Sequence, residues 1–324
     1  MALLNFGRAI NKALSDALEQ DPAVILIGED IADAGGSFGV TRSLKERFGA
    51  RRVIDTPISE AAIAGAAVGA AMCGLKPVFE IMFMDFTTLV MDAIVNQAAK
   101  AHFMFGGQCS VPLVLRTPHG GGMSAGPQHS QCLEAWFAHV PGLKVIVPSD
   151  SHSAYGLLRS AIDDPDPVIF VEHKALYSQK SEVSDTPEAL PLGKAAIVRS
   201  GSDVSIVAYG AYVHIAVAAA NALSARGIQA EVIDLRTIQP WDESTVLASL
   251  SRTHRMVIVH EAVEAFGVGA EIAARMADIG FDELDAPIVR VGAPFMPVAF
   301  SPALEKAYRP SEDRLSAAVL RTLE

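Results

Sequence analysis

Cysteine and positive charge are both scarce in this sequence. Three cysteines in 324 residues, none of them in a Cys-x-x-Cys pair, exclude a disulfide framework, a zinc knuckle and a redox dithiol. The net charge of −11 argues against a protein that binds nucleic acid through a general positive field. Only 19% of the residues are charged whereas half are hydrophobic, which excludes a disordered chain and provides a large core.

No segment has the pattern of a membrane anchor or an export signal. Residues 61–75 form an uncharged run, but its 15 residues are mostly alanine and glycine, too few and too weakly apolar to span a bilayer. The first residues lack the charged-then-apolar order of a signal peptide. We therefore expect a cytoplasmic protein of bacterial type, without a signal, transit or transmembrane segment and without nucleic-acid or membrane partners.

The chain alternates between short apolar runs and helical patterns. Apolar runs of strand type occur at 24–27, 78–79, 112–115, 145–147 and 168–171, and helical spacing occurs at 10–18, 60–72, 86–104, 130–138 and 151–162. Continuous apolar strands that alternate with helices predict a parallel sheet covered on both faces.

The alternation lapses at 173–192, a polar stretch with two prolines that predicts a linker. It resumes with strands at 204–207, 230–235, 256–259 and 288–291 and helices at 212–225, 242–251, 267–279 and 311–322. The sequence therefore predicts two doubly wound α/β domains, one at 1–185 and one at 193–324.

Three local motifs match catalytic or cofactor-binding sequence patterns, but the match is weak in each case. Residues 35–39 fit Gly-x-Ser-x-Gly, but no strand directly precedes them, as a nucleophile elbow requires. The glycine patterns at 120–125 and 267–269 each lack a part of the dinucleotide fingerprint, and we interpret them as close backbone packing. Cys132 follows His129 by three residues, and a small core cysteine is the interpretation we prefer, with a Cys/His nucleophile pair as the alternative.

Two polar elements lie where chemistry is expected. Ser59 is predicted to cap a helix that begins at Glu60, and Gly65 and Gly69 give that helix a small face on which another helix can approach closely. His129 lies on a glycine-rich loop, where a histidine can act as a general acid or base. From spacing alone, Glu60 can equally be an acid that stabilises the helix dipole, and His129 a capping or surface residue.

Several blocks of sequence match one family in order. They are Thr-Pro-Ile-Ser-Glu (56–60), Asn-Gln-Ala-Ala-Lys (96–100), Gln-His-Ser-Gln (128–131), Pro-Gly-Leu-Lys-Val (141–145), Glu-Val-Ile-Asp-Leu-Arg-Thr (231–237) and Phe-Gly-Val-Gly-Ala-Glu-Ile (266–272). From about residue 4 onward the chain resembles the β subunit of the thiamine-diphosphate-dependent decarboxylating component of 2-oxo acid dehydrogenase complexes. Residues 166–178 look closest to the acetoin dehydrogenase branch, with the pyruvate branch next, and Leu89 departs from the glutamine of the pyruvate branch. The resemblance implies a pyrimidine-binding thiamine diphosphate domain followed by a transketolase C-terminal-like domain.

The resemblance also implies the roles of five residues. Glu60 corresponds to the catalytic glutamate that hydrogen-bonds the aminopyrimidine ring of thiamine diphosphate and favours the tautomer that removes the C2 proton. His129 corresponds to a catalytic histidine implicated in acyl transfer to a lipoyl disulfide. Ile58 and Phe86 match positions that pack against the pyrimidine ring, and Glu29 belongs to the same cofactor-binding set.

Half of the cofactor site is missing, because no Gly-Asp-Gly motif for the Mg²⁺-bound diphosphate occurs in the chain. The resemblance implies an α subunit that holds Mg²⁺ and shares the thiamine diphosphate, in an α2β2 heterotetramer that docks a dihydrolipoyl acyltransferase core. It further implies a structural K⁺ bound by oxygens of Leu113, Ala161, Ile162, Asp164 and Asp166, which a hard cation accepts. A plain helix-end role for the two aspartates is the alternative.

The implied function is that of an oxidoreductase subunit which is active only with its α subunit. The complex would cleave acetoin or oxidatively decarboxylate a 2-oxo acid such as pyruvate, and would pass the acyl group to a lipoyl disulfide. The alternatives are a branched-chain 2-oxo acid dehydrogenase β subunit, a transketolase-like half enzyme and a non-catalytic scaffold of the same fold. A scaffold has no use for both Glu60 and His129, so their presence argues against it.

Overall fold

The computed structural model describes residues 2–324, which form two compact units. The first unit runs to His119 and resumes with Trp136–Leu192, and the second comprises Gly120–Ala135 and Gly193–Glu324. The sequence predicts residues 1–185 as one continuous domain, whereas the structure groups Gly120–Ala135, and with it His129, with the second unit. Among residues 2–324, no helix combines the length and the apolar character needed to cross a membrane.

The first unit is built around parallel strands. Its strands are β1 (Ala2–Asn5), β2 (Val24–Gly28), β3 (Val53–Asp55), β4 (Lys76–Glu80), β5 (Val114–His119), β6 (Lys144–Ile146), β7 (Val168–His173) and β8 (Lys180–Val183). Its helices are α1 (Phe6–Gln20), α2 (Leu44–Phe48), α3 (Glu60–Met72), α4 (Ala99–Met104) and α6 (Ser151–Asp163), and α5 (Glu134–Ala138) lies across the sequence boundary between the units.

Six of these strands form a parallel sheet in the order β6-β7-β5-β4-β2-β3. All five residues of β2 are buried, as are all six of β5 and of β7, which is the burial expected when helices cover both faces. Gly28 of β2 lies beside Asp55 of β3 and beside Glu80 of β4. The carboxyl ends of these three strands therefore meet at one edge of the sheet, and the predicted parallel α/β architecture is confirmed.

The second unit is a smaller α/β unit. Its strands are β9 (Ala196–Arg199), β10 (Val204–Ala208), β11 (Ala230–Asp234), β12 (Thr237–Gln239), β13 (Met256–Val263) and β14 (Val289–Ala293). Its helices are α7 (Tyr212–Ser224), α8 (Glu243–Thr253), α9 (Val268–Ile279), α10 (Pro302–Tyr308) and α11 (Glu312–Arg321). Five strands form a sheet in the order β14-β13-β10-β11-β9, in which β9 is an antiparallel edge strand.

Two predicted segments differ from the structure. The helix predicted at 86–104 is a 3₁₀ turn (Met84–Val90), a π-type turn (Asp92–Ala98) and then α4. The Thr87 and Thr88 hydroxyls each donate to the carbonyl three residues back, which favours the tighter 3₁₀ winding. The linker predicted at 173–192 contains β8, which pairs antiparallel with β1.

Candidate active site

Glu29 and the Thr-Pro-Ile-Ser-Glu segment meet at one edge of the first sheet. Glu29 directly follows β2, and residues 56–60 directly follow β3, the parallel neighbour of β2. The Glu29 carboxylate accepts a hydrogen bond from the backbone N–H of Ser59, with 3.1 Å between Oε1 and N. The fold thus brings together two segments that are about 30 residues apart in the sequence.

Glu60 is the first residue of α3, as predicted. Ser59 occupies the N-cap position, but its hydroxyl donates to the Pro57 carbonyl at 3.0 Å and makes no capping hydrogen bond to the helix. The structure therefore corrects the predicted side-chain cap. The link between Glu29 and the Ser59 backbone is what orients the chain as it enters α3.

Burial governs the electrostatics of Glu29. Its side chain is only 5% exposed, and burial raises the pKa of its carboxyl group above the usual value. The hydrogen bond from Ser59 lowers this pKa, while the negative charges of Glu60 and Asp30 raise it further. This edge of the sheet therefore carries two neighbouring carboxyl groups, one of which has an increased tendency to keep its proton.

Ile58 lies two residues before Glu60 in the sequence, and Phe86 and Leu89 lie in the turn at Met84–Val90. Ile58 is 83% exposed within the chain although it is a large hydrophobic residue, and Leu89 is exposed as well. Phe86 lies in the 3₁₀ turn after β4, where its ring packs edge-on against Phe83 with centroids 5.8 Å apart. An exposed isoleucine next to Ser59 and Glu60 offers a surface on which a planar ring can pack.

His129 belongs to the second unit, whereas the other predicted cofactor residues belong to the first. It is half-buried, and its backbone N–H donates to the Gly126 carbonyl at 3.4 Å. The next residue, Ser130, is buried and lines a cavity of about 550 Å³ within this unit, together with Gln128, Glu261 and Met296. The segment that carries His129 is thus one wall of a cavity in the second unit.

Two of the predicted potassium ligands, Asp164 and Asp166, contact the same lysine. Lys144 places its ammonium group 2.6 Å from Asp164 Oδ1 and 3.0 Å from Asp166 Oδ2. Burial opposes the charge of Lys144, but its hydrogen bonds to the two aspartates prevail and raise the pKa of the ammonium group. A single ammonium group is thus shared by two carboxylates, and the K⁺ site formed by Leu113, Ala161, Ile162, Asp164 and Asp166 stays a prediction.

Sequence reasoning missed a buried ionic network in the same sheet. The Arg116 guanidinium donates two hydrogen bonds to Glu172, at 2.7 and 2.8 Å, and one to Glu80 at 2.7 Å. Tyr177 donates to Glu172 at 2.7 Å. Burial raises the pKa of Glu80 in spite of Arg116. Glu80, Arg116 and Glu172 each directly follow a predicted apolar strand, which indicates that they lie at strand ends but not that they are partners.

The glycines at 267–269 allow close packing, as interpreted from the sequence. A Cβ atom on Gly267 would lie 2.7 Å from the His260 ring, and one on Gly269 would lie 2.8 Å from it. His260 is buried, and burial lowers the pKa of its imidazole. These glycines make room for a histidine on the neighbouring strand.

Two domain families match this chain. Residues 3–180 match the transketolase pyrimidine-binding domain, and residues 193–315 match the transketolase C-terminal domain. The overall fold is similar to that of a solved split-gene transketolase, described as an inactive β4 tetramer, with a TM-score of 0.82 and 23% identity over 99% of this chain and 98% of that chain.

Sequence comparisons give relatives of higher identity. The chain is 46% identical to the acetoin:2,6-dichlorophenolindophenol oxidoreductase subunit beta of Bacillus subtilis, over 99% of this chain and 97% of that protein. It is 47% identical to the subunit of the same name from Cupriavidus necator, over 99% and 98%. It is also 45% identical to the mitochondrial pyruvate dehydrogenase E1 component subunit beta-2 of Oryza sativa, over 97% and 84%.

Proposed function

This chain belongs to the family of β subunits of the pyruvate and acetoin dehydrogenase E1 components, and on that basis we propose that it is the β half of a thiamine-diphosphate-dependent component that cleaves acetoin. The observation that carries the proposal is the contact between Glu29 and Ser59, which joins the carboxyl ends of β2 and β3 beside Glu60.

The residues at this edge fit the pyrimidine half of the cofactor. The Oγ1 atom of Thr56 is buried and has no hydrogen-bond partner among residues 2–324, and Ile58, two residues further on, is exposed. Ile58 and Phe86 would flank the ring, and a Glu60 oxygen would hold or accept the proton of a ring nitrogen. When bound, thiamine diphosphate supplies the electron sink for breaking the carbon–carbon bond next to the carbonyl.

The diphosphate half of the cofactor does not fit this chain alone. A magnesium-bound diphosphate needs the Gly-Asp-Gly element that the sequence lacks, so we assign Mg²⁺ to an α subunit in an α2β2 assembly. A structural K⁺ would be held by oxygens of Leu113, Ala161, Ile162, Asp164 and Asp166, where the Lys144 ammonium group already contacts both aspartates.

His129 is assigned to a later step of the same reaction. An imidazole can deliver a proton to a sulfur atom as a lipoyl disulfide opens, which is a general-acid role. The acceptor would be the lipoyl group of a dihydrolipoyl acyltransferase, the partner that such a β subunit serves.

Acetoin is the substrate that we favour. The relatives from Bacillus subtilis and Cupriavidus necator are acetoin oxidoreductase subunits. Pyruvate is the second candidate, because the pyruvate dehydrogenase subunit of Oryza sativa is nearly as similar.

The test is to purify the chain with its α subunit and to measure reduction of 2,6-dichlorophenolindophenol with acetoin and with pyruvate. We expect acetoin-dependent reduction that Glu60→Gln abolishes. Glu271→Gln is the matched control, because Glu271 is an exposed glutamate in the first turn of α9. Reduction with pyruvate but not with acetoin would favour pyruvate as the substrate. The absence of reduction with either substrate would contradict both proposed substrates.

A second measurement tests the division of the cofactor site between subunits. Calorimetry with thiamine diphosphate and Mg²⁺ should detect no micromolar binding to the isolated chain, and binding should be restored when the α subunit is added. Micromolar binding to the chain alone would show that the diphosphate anchor lies in this subunit.

A further inference from the structure

Two buried carboxylates hold the backbone of the loop that precedes His129. We call residues 120–126 the glycine loop. Gly121 donates its N–H to Glu261 Oε1 at 2.5 Å. Gly122 and Ser124 donate theirs to the two oxygens of Glu305, at 2.8 and 3.0 Å. Three backbone N–H groups of this loop thus donate to side chains of β13 and α10, all within the second unit.

The glycines are what allow this approach. A Cβ atom on Gly121 would lie 2.9 Å from Glu305 Oε1, and one on Gly122 would lie 2.9 Å from Arg309 Nη1. Gly122 also has a φ of +99°, a conformation that residues with a side chain rarely adopt. The glycines at 121 and 122 are therefore explained by the close approach of the Glu305 carboxylate and the Arg309 guanidinium to the loop.

The carboxylates in turn depend on the loop. Glu261 and Glu305 are each only 4% exposed, and a buried charge is costly unless hydrogen bonds and opposite charges compensate it. Arg309 lies 3.4 Å from Glu261, and although burial opposes its charge, Glu261 raises the pKa of the guanidinium above its usual value. Arg309 thus faces the two carboxylates of Glu261 and Glu305. The N–H groups of the loop help to compensate the remaining negative charge.

The segment is also fixed on both sides of His129. On one side, Gly126 packs so closely on Phe300 that a Cβ atom would lie 2.2 Å from the phenyl ring. On the other side, the buried Glu134 accepts a hydrogen bond from the Tyr209 hydroxyl at 2.8 Å. The residues that flank His129 on both sides are therefore held by contacts within the second unit.

We propose that Glu305 and Glu261 are positioning residues that hold the glycine loop, and through it set the place of His129 for acyl transfer. Neither carboxylate needs to touch the substrate, because each acts through the loop backbone. The proposal rests on the proposed function, in which His129 acts only after carbon–carbon cleavage. The proposal assigns the position of His129 to the second unit. Activation of the cofactor, in contrast, is assigned to residues of the first unit.

The test uses Glu305→Ala and Glu305→Gln in the complex with the α subunit, with Glu271→Ala as the matched control. In Glu305→Ala we expect amide hydrogen exchange in residues 120–126 to become roughly 10-fold faster or more, since two charge-assisted hydrogen bonds are lost. Acylation of a lipoyl domain should fall roughly 10²-fold, the loss expected for a group misplaced by about 1 Å. Dye reduction with acetoin should stay near the wild-type rate.

Glu305→Gln gives an internal comparison that is less disruptive to the fold. It keeps one acceptor oxygen but turns an N–H group toward the other loop amide, so both losses should be smaller than with alanine. Unchanged amide hydrogen exchange of residues 120–126 in both variants would contradict the contact between Glu305 and the glycine loop. Faster exchange with unchanged acylation of the lipoyl domain would contradict the positioning role. A wild-type complex that reduces no dye would instead count against the proposed function.

Discussion

Ser59 donates its backbone N–H to Oε1 of Glu29 across 3.1 Å, and this hydrogen bond joins the residue after β2 to the residue before α3. Glu29 is buried, so its carboxylate is partly stabilised by this single N–H. The charge on Glu60 raises the pKa of Glu29, which therefore takes up a proton more readily while Glu60 is ionised. The pair can therefore hold a proton at this edge of the sheet.

The raised pKa of Glu29 predicts a pH dependence of stability. Unfolding returns the Glu29 carboxyl group to its ordinary pKa of 4.5. The raised pKa in the folded state therefore contributes its full stabilisation below pH 4.5. This stabilisation is lost as the pH rises through the raised pKa. Glu29→Gln removes this titration but keeps an oxygen for the N–H of Ser59. The wild type should therefore lose stability as the pH rises, whereas the variant should not. The free energy of unfolding of Glu29→Gln minus that of the wild type should increase with pH and then level off.

Urea denaturation between pH 4 and pH 8 measures this difference. Glu46→Gln serves as the control, because Glu46 is an exposed glutamate on α2. The control should differ from the wild type by a constant amount. A constant difference for Glu29→Gln as well would mean that this carboxyl group does not titrate abnormally.

The sequence predicted the parts of the molecule that depend on local pattern. The apolar runs located the parallel strands β2, β4, β5, β6 and β7 but not β3, and the helix predicted at 60–72 is α3, beginning at Glu60. The assignment of Gly120–Ala135 to the second unit was not predictable in this way. It depends on contacts of the glycine loop with Glu261 and Glu305, which are 140 and 183 residues away.

The ionic network escaped prediction for a similar reason. Periodicity reports only whether a position is apolar, and Arg116 at the end of an apolar run gives no indication of its partners. Glu80 and Glu172 face it only because β5 lies between β4 and β7. The order of strands in a sheet decides such contacts, and the pattern of one sequence does not specify that order.

The network predicts a large cost for losing its cation. Arg116→Met would leave the carboxylates of Glu80 and Glu172 buried without a counter-charge, and we expect the free energy of unfolding to fall by roughly 3–5 kcal/mol. Glu80→Gln should cost much less, because burial already raises the pKa of Glu80 and the amide can still accept from Arg116. Urea denaturation at pH 7 measures both, and equal losses would contradict the charge argument.

The exposed face of α3 predicts a subunit contact. Within residues 2–324, no atom lies within 4 Å of the Cβ positions of Gly65 and Gly69, so leucine can be accommodated there in the isolated chain. Gly65→Leu should even strengthen the helix slightly, since glycine costs roughly 1 kcal/mol relative to alanine in a helix. In the assembled enzyme the same side chain would hold two backbones apart, at roughly 1–3 kcal/mol per site.

Light scattering after size exclusion, with the α subunit present, distinguishes these effects. Gly65→Leu should shift the assembly toward smaller species while the isolated chain melts at or above the wild-type temperature. Ala274→Leu, on an exposed part of α9, is the control and should assemble normally. Normal assembly of Gly65→Leu would mean that this face of α3 is not a close helix contact.

The last prediction separates Glu60 from His129 by the step at which each acts. In the complex with the α subunit, Glu60→Gln should abolish both hydrogen exchange at C2 of the bound cofactor and dye reduction, because an amide, unlike a carboxyl group, cannot share a proton with the ring nitrogen and so cannot favour the tautomer that removes the C2 proton. His129→Ala should keep both near wild type, because neither requires a proton at the lipoyl sulfur. Acylation of a lipoyl domain should fall by roughly 10²–10⁴-fold, as for a lost general acid.

Three assays on the same preparations resolve these steps: NMR of deuterium exchange at C2, dye reduction with acetoin, and acylation of a lipoyl domain. The two residues lie on different units of the chain, so a variant that unfolds one unit would be revealed by its melting curve and not mistaken for a chemical effect. If His129→Ala lost all three activities equally while remaining folded, the histidine would organise the cofactor site itself. The positioning role of Glu305 would then predict a loss of dye reduction as well, so the same assays would test whether the loop serves cofactor activation or acyl transfer.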